Sequence, residues 1–391
     1  MSGATPSPGP VPRGDALAIA RALIRRPSVT PADAGAQAVL ASMLREIGFE
    51  VFSLPFGDGD ARIENLFARI GTGSPHLCFA GHTDVVPPGD PADWRSGPFA
   101  AEMDGDVLVG RGAADMKGGI AAFVAAAGRH LADRDTALSG SISLLITGDE
   151  EGDAVNGTVR VLEWMAAHGQ IPDFCLVGEP TNPERLGEMV KIGRRGTLNA
   201  TVTVEGTQGH AAYPDRADNP VHRLLRILSD LTSAALDEGT PFFQPSSLQV
   251  TSVDVGNGAF NVIPARAGAK LNIRFNDLHD GASLSDMLRA TVARHAPRGR
   301  VDIRVGGEAF RTDAAPEVAL LVEAIEAETG RRPVLDTGGG TSDARFVARY
   351  CGVAEFGLVG ASMHKVDENV PVGELKQLQA IYERFIRRVM G

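Results

Sequence analysis

Short apolar runs alternate with helical stripes along the first half of the chain. Residues 77–80, 142–147 and 175–177 are brief and largely apolar, which predicts buried strands. Residues 116–131 and 158–168 carry apolar positions at helical spacing. Strand and helix in alternation predict an α/β domain with a largely parallel sheet. The pattern changes near Gly196. Residues 197–205 alternate with period two, as a half-buried strand does. A helix is expected over 219–236, strands over 248–253 and 269–275, a helix over 284–295 and a strand over 301–305. That β-α-β-β-α-β order is the ferredoxin-like pattern. After Gly307 the α/β character returns, with a helix over 318–329, a strand over 353–358 and a closing helix over 372–389.

A chain of 391 residues is too long for one ordinary core. The expected architecture is a discontinuous α/β catalytic domain (1–195 and 308–391) whose mostly parallel sheet is flanked by helices. An α+β ferredoxin-like domain (196–307) is inserted into it. Residues 1–14, rich in Pro, Gly and Ser, are expected to form a disordered lead-in and not a signal peptide. No apolar run approaches the roughly 20 residues of a membrane span; with no export signal read in the sequence, the expected location is the cytoplasm. The three cysteines, Cys78, Cys175 and Cys351, have no paired spacing. This argues against a disulfide framework and for buried small side chains. The net charge of −11 argues against a nucleic-acid partner. An anionic ligand would need a local cluster of arginines.

Acids and histidines collect just after the expected strands. They are His82-Thr83-Asp84, Asp115 with Gly118-Gly119 behind it, Asp149-Glu150-Glu151, Glu179, and His364. Ligands of open α/β sheets bind beyond the carboxyl ends of the strands, so these distant segments can converge on one crevice. Histidine with carboxylate and no cysteine suits zinc or a similar divalent ion. Five candidate ligands exceed one tetrahedral ion, whereas two ions sharing a bridging carboxylate would use them all. Glu150 and Glu151 are adjacent, so one can hold metal while the other faces the attacking water.

The strings around these residues are more specific than the spacing. Gly81-His82-Thr83-Asp84-Val85-Val86-Pro87, Gly110-Arg111-Gly112-Ala113-Ala114-Asp115-Met116-Lys117-Gly118-Gly119, Thr147-Gly148-Asp149-Glu150-Glu151-Gly152 and Val177-Gly178-Glu179-Pro180-Thr181 resemble the metal-binding signatures of the M20 family of zinc amidohydrolases and peptidases. The likeness continues through Ile192-Gly193-Arg194-Arg195-Gly196, Gln208-Gly209-His210-Ala211-Ala212-Tyr213-Pro214, Asn261-Val262-Ile263-Pro264, the stretch from Gly338 to Phe346, and His364-Lys365-Val366. It runs in order from about Asp15 to the C-terminus.

The resemblance implies two zinc ions per subunit, which cobalt can replace, with His82 and Glu179 on the first, Glu151 and His364 on the second, and Asp115 bridging. It implies that Asp84 hydrogen-bonds the His82 imidazole, that Glu150 is the general base and acid, and that the Asp115–Met116 peptide is cis. It also implies a homodimer through the inserted domain, in which His210 reaches the partner's site. Arg194, Arg274, Tyr213, Asn261, Gly340 and Thr341 would contact a polycarboxylate substrate. The implied reaction splits the amide of N-succinyl-LL-2,6-diaminopimelate into succinate and LL-2,6-diaminopimelate, a step towards lysine and peptidoglycan precursors. Deacylation of N-acetylornithine or hydrolysis of dipeptides would use the same metals. A non-catalytic binding protein on this fold would be expected to lack a ligand or the base. The chain departs from the family pattern at Gly360 and at Asp367, and Phe260 offers no polar group beside Asn261.

Overall fold

The computed structural model describes residues 14–133, 138–233, 235–312 and 315–391. The lead-in expected over 1–14 falls outside them except for Gly14. Two compact units result: Met1–Ile192 with Thr312–Asp336 and Ser342–Gly391, and Gly193–Arg311 with Thr337–Thr341. The second unit begins at Gly193, slightly before the composition change. The reason is that Gly193–Arg194 pairs antiparallel with Phe310–Arg311, so both ends of the insertion belong to one ladder. The short Thr337–Thr341 segment joins it through a hydrogen bond from the Thr337 hydroxyl to the Phe242 carbonyl.

In the first unit, eight strands form one mixed sheet. Their order is Glu50–Ser53, Leu66–Gly71, Ser141–Thr147, His76–His82, Phe174–Val177, Gly352–Glu355, Met189–Lys191 and Val334–Asp336. The centre is parallel: His76–His82 lies between Ser141–Thr147 and Phe174–Val177, with His82 opposite Thr147 and Ala80 opposite Val177. Those registers bring the carboxyl ends of three strands to one edge. The strand expected over 353–358 stops at Glu355. There the chain turns, and Gly357 comes so close to the Gly178 and Glu179 carbonyls that a Cβ would lie 2.4 and 2.5 Å from them.

The helix Lys117–Ala132 is buried on every side from Lys117 to Gly128, which explains its run of Ala and Gly. Phe123 stacks on Phe79 of the central strand at 4.4 Å, and Tyr382 meets both rings edge-on at 5.8 Å. Tyr382 belongs to the closing helix Val372–Met390, which buries Leu375, Leu378, Tyr382, Phe385 and Ile386 at helical spacing. Each such side chain contributes about 1.5–3 kcal/mol on leaving water. The cysteines are free. Cys78 and Cys175 are buried cross-strand neighbours, and Cys351 is half-buried.

In the second unit, four antiparallel strands run in the order Ser247–Asp254, Arg266–Phe275, Gly196–Glu205, Arg300–Gly307. The helices Pro220–Thr232 and Gly281–His295 contribute to a single core with Leu198, Ala200, Val202 and Val204. Among the described residues no helix is long and apolar enough to cross a membrane.

Candidate metal centre

His82 ends the central strand and is 1% exposed. Its Nδ1 bonds the main-chain carbonyl of Asp84 at 2.9 Å, which turns Nε2 towards Asp115 Oδ1 at 3.2 Å and Glu179 Oε1 at 3.7 Å. Glu179 follows the neighbouring strand Phe174–Val177. Asp115 lies two residues before the helix Lys117–Ala132, across a cis peptide to Met116. Gly119, in the first turn of that helix, lies against Gly178; a Cβ on Gly119 would stand 2.6 Å from the Gly178 carbonyl oxygen. Small residues on both sides therefore bring the Asp115 and Glu179 segments together.

The second oxygen of Asp115 faces the other way. Its Oδ2 lies 3.1 Å from His364 Nε2, and the same nitrogen lies 2.9 Å from Glu151 Oε1. Donor atoms of His82, Asp115 and Glu179 lie within 4.8 Å of one another, as do those of Asp115, Glu151 and His364. A third such group joins His82, Glu150 and Glu151. One carboxylate, Asp115, is thus common to two triads built from five segments of chain.

Asp84 acts differently from what the resemblance implies. Its carboxylate stands 3.6 Å from the His82 ring and accepts instead the backbone N–H of Glu150 at 3.3 Å and of Glu151 at 3.0 Å. The main-chain carbonyl orients the imidazole, because the turn after the strand aims it at Nδ1. Burial raises Asp84 to about 6, against the pull of His82.

The electrostatics of the cluster call for positive charge. Burial, and then the Glu179 carboxylate, push Glu150 well above the usual carboxylate range. Burial would also raise Asp115, but hydrogen bonds from His364 and His82 hold it low. His364 is raised to about 10 by its bonds to Asp115 and Glu151. His82 is raised well above its ordinary value in spite of burial, by Asp115, Glu179 and Asp84. Divalent cations would neutralise this crowd of carboxylates. Oxygen and imidazole donors without sulfur fit zinc-like ions.

The remaining expected site residues all belong to the second unit. Arg194 is buried and its Nη1 donates to the Gly340 carbonyl at 3.1 Å, which places it beside Thr341. Arg274 lies opposite Thr197 and Ser247 in the sheet, and burial and the Arg195 guanidinium lower its pKa. His210 pairs with Val262, its ring 5.6 Å from Tyr213, and the neighbouring Ala211 N–H donates to the Asn261 carbonyl at 2.9 Å. A close approach does not require glycine at Gly340, where nothing lies within 4 Å of a Cβ; Gly339, at φ +99°, has the backbone that does.

Sequence reasoning gave no role to Glu368, Arg111 or Asp343, and placed Asp149 only as a neighbour of Glu150 and Glu151. Glu368 accepts backbone N–H groups from the Asp115 loop, and Asp149 accepts those of Val155 and Asn156. Both receive bonds from backbone distant in the chain or across a loop, which no local pattern marks. Asp343 is buried, with Arg345 Nη2 3.9 Å from its Oδ1.

Residues 78–388 match the peptidase family M20/M25/M40, and the chain belongs to that family. Within it, the chain is 65% identical over its whole length, and over the whole length of the relative, to a succinyl-diaminopimelate desuccinylase of Gluconacetobacter diazotrophicus. It is 60% identical to the enzyme of that name from Gluconobacter oxydans, over 95% of this chain and 97% of the other. Among solved structures, an M20 family metallo-carboxypeptidase from Sulfolobus solfataricus superposes with a TM-score of 0.76 at 18% identity, covering 95% of this chain and 98% of that one. A dinuclear metal-binding M20 peptidase from Bacillus subtilis gives 0.70 at 16% identity, covering 96% and 97%.

Proposed function

We propose that this chain is a metal-dependent hydrolase that cleaves N-succinyl-LL-2,6-diaminopimelate to succinate and LL-2,6-diaminopimelate, in the cytoplasm. The observation that carries the chemistry is the sharing of Asp115 between two histidine–carboxylate triads. The substrate assignment is supported by full-length relatives at 54–65% identity, all named for that reaction.

His82, Asp115 and Glu179 would hold one zinc ion, and Asp115, Glu151 and His364 a second, with cobalt able to replace zinc. Bound there, the ions supply a water of lowered pKa and Lewis-acid polarisation of the scissile carbonyl. The chain's own residues do the rest. Glu150 takes a proton from the attacking water on its carboxylate and delivers it to the leaving nitrogen. Asp84 holds the backbone of Glu150 and Glu151 in place. Arg194 and Arg274 bind substrate carboxylates, with Tyr213, Asn261, Gly340 and Thr341 adding polar contacts. His210 donates to the developing oxyanion of a partner subunit in a homodimer formed through the second unit.

Turnover of N-succinyl-LL-2,6-diaminopimelate by the zinc-loaded protein tests this reading, with N-acetylornithine and a dipeptide alongside. The succinyl substrate is expected to be hydrolysed at least a hundredfold faster. Preference for either other substrate would transfer the assignment to another branch of the family. Mixing Glu150→Gln with His210→Ala subunits is expected to restore partial activity. No recovery after verified exchange would contradict a shared site.

A further inference from the structure

Glu368 is fully buried at 0% exposure and belongs to the loop that carries His364. Among the described residues, the donors to its carboxylate come from the loop that carries Asp115. Oε1 accepts the backbone N–H of Ala114 at 2.9 Å and of Asp115 at 3.0 Å. Oε2 accepts the N–H of Gly112 at 3.0 Å and Nη1 of Arg111 at 2.7 Å. A carboxylate has about four lone-pair positions, and all four are used. Gly112, at φ +87°, gives the turn that points these N–H groups inward, and a Cβ there would stand 2.9 Å from Val85.

The two loops are joined at further points. Gly110 N–H donates to the main-chain carbonyl of Glu368 at 2.9 Å, and Arg111 Nη1 reaches the Lys365 carbonyl at 3.2 Å. Arg111 is held from its other side by the Trp94 ring, 5.3 Å from its guanidinium carbon. The His364 loop needs such support. His364 and Asp367 have φ of +61° and +56°, left-handed conformations that a side-chain-bearing residue adopts only when its surroundings hold it there. By contrast, only Asp115 of the first triad lies on these loops; His82 ends its strand and Glu179 follows the adjacent one.

We propose that Glu368, with Arg111 as its counter-ion, is a positioning residue that sets Asp115 against His364 and so builds the second cation position. The first position, with His82 and Glu179 on strand ends, depends on it far less. This rests on the two-cation reading above. It assigns Glu368 no contact with substrate or metal; it acts through the backbone of Asp115 and the path of its own loop.

Zinc titration of metal-depleted full-length protein, followed by calorimetry with a competing chelator, tests the proposal. The parent chain is expected to bind two equivalents. Glu368→Gln keeps the volume but turns an NH2 group towards backbone N–H donors. It is expected to bind the first equivalent within about threefold of the parent and the second about 10- to 100-fold more weakly, the usual range for residues that support ligands from behind. Arg111→Lys keeps the charge and loses the fork. It is expected to weaken the second equivalent by a smaller factor, and it serves as the measurable variant should Glu368→Gln fail to fold. If the parent binds fewer than two equivalents, the two-cation reading falls and this inference with it. If the parent binds two and the folded variants bind both with parental affinity, the inference alone is wrong. Equal weakening of both equivalents would mean a general loosening of the fold and would also overturn it.

Discussion

At Asp84 the main chain and the side chain have separate tasks: the carbonyl fixes the His82 ring and the carboxylate fixes the Glu150–Glu151 backbone. Asp84→Asn keeps the carbonyl but puts a donor where an acceptor is needed. Metal content is expected to stay at the parental level while kcat falls about tenfold or more; loss of metal with kcat intact would contradict this division. Gly119 offers a test of packing. A methyl group 2.6 Å from the Gly178 oxygen forces the helix from the strand end, and Gly119→Ala is expected to lower stability by about 1–3 kcal/mol in urea unfolding. His76, away from the metal centre, reports on burial. Desolvation, then Arg69, lowers its pKa from 6.5 to about 4. The unfolded chain therefore binds a proton that the native chain refuses between those values. The contribution of His76 to stability is complete above pH 6.5 and is lost as the pH falls towards 4. A histidine resonance titrating near 4, absent in His76→Gln, is the expected NMR signature. At this scale the convergence of His82, Asp115, Glu150, Glu151, Glu179 and His364 was legible as a grouping, because each stands in a distinctive string of neighbours. Glu368 and the carboxylate of Asp84 were not, since their partners are backbone N–H groups that leave no trace in residue type.

Elements were legible where burial imposes a period. Gly196–Glu205 alternates buried and exposed side chains along most of its length, and Val372–Met390 keeps an apolar stripe over 19 residues. The short strands were not: Val334–Asp336 pairs in parallel with Met189–Lys191 but leaves Val334 and Leu335 exposed, so its apolar residues obey no alternation. Glu50–Ser53 and Leu66–Gly71 lie ahead of the first clear βα alternation and join the sheet antiparallel. The helix Val372–Met390 sends the Tyr382 hydroxyl into the core, where it donates to the Phe356 carbonyl at 2.6 Å. Tyr382→Phe leaves that carbonyl buried without this partner and is expected to cost about 1–2 kcal/mol, measured by denaturant unfolding. Asn219 caps the helix Pro220–Thr232 by accepting from Val221 N–H, and Asn219→Ala is expected to cost about 1 kcal/mol.

The whole molecule is acidic, with a net charge of −11, and it concentrates several carboxylates in one largely buried cluster. Such a cluster is stable only with positive charge inside it. Chelation is expected to lower the melting temperature by several degrees, and zinc to restore it, because cations that bind the native state alone stabilise it by mass action. The pattern changes near Gly196, three residues after the second unit begins at Gly193; the return of Thr337–Thr341 to that unit leaves no such mark, because it depends on contacts to Phe242 and Arg194 far away in sequence. The most direct test of the metal centre is an anomalous difference map at the zinc edge from crystals of the zinc-loaded protein. Two peaks about 3.5–4 Å apart are expected, one beside His82 and Glu179, the other beside Glu151 and His364, with Asp115 between them. A single peak, or peaks away from Asp115, would contradict the account.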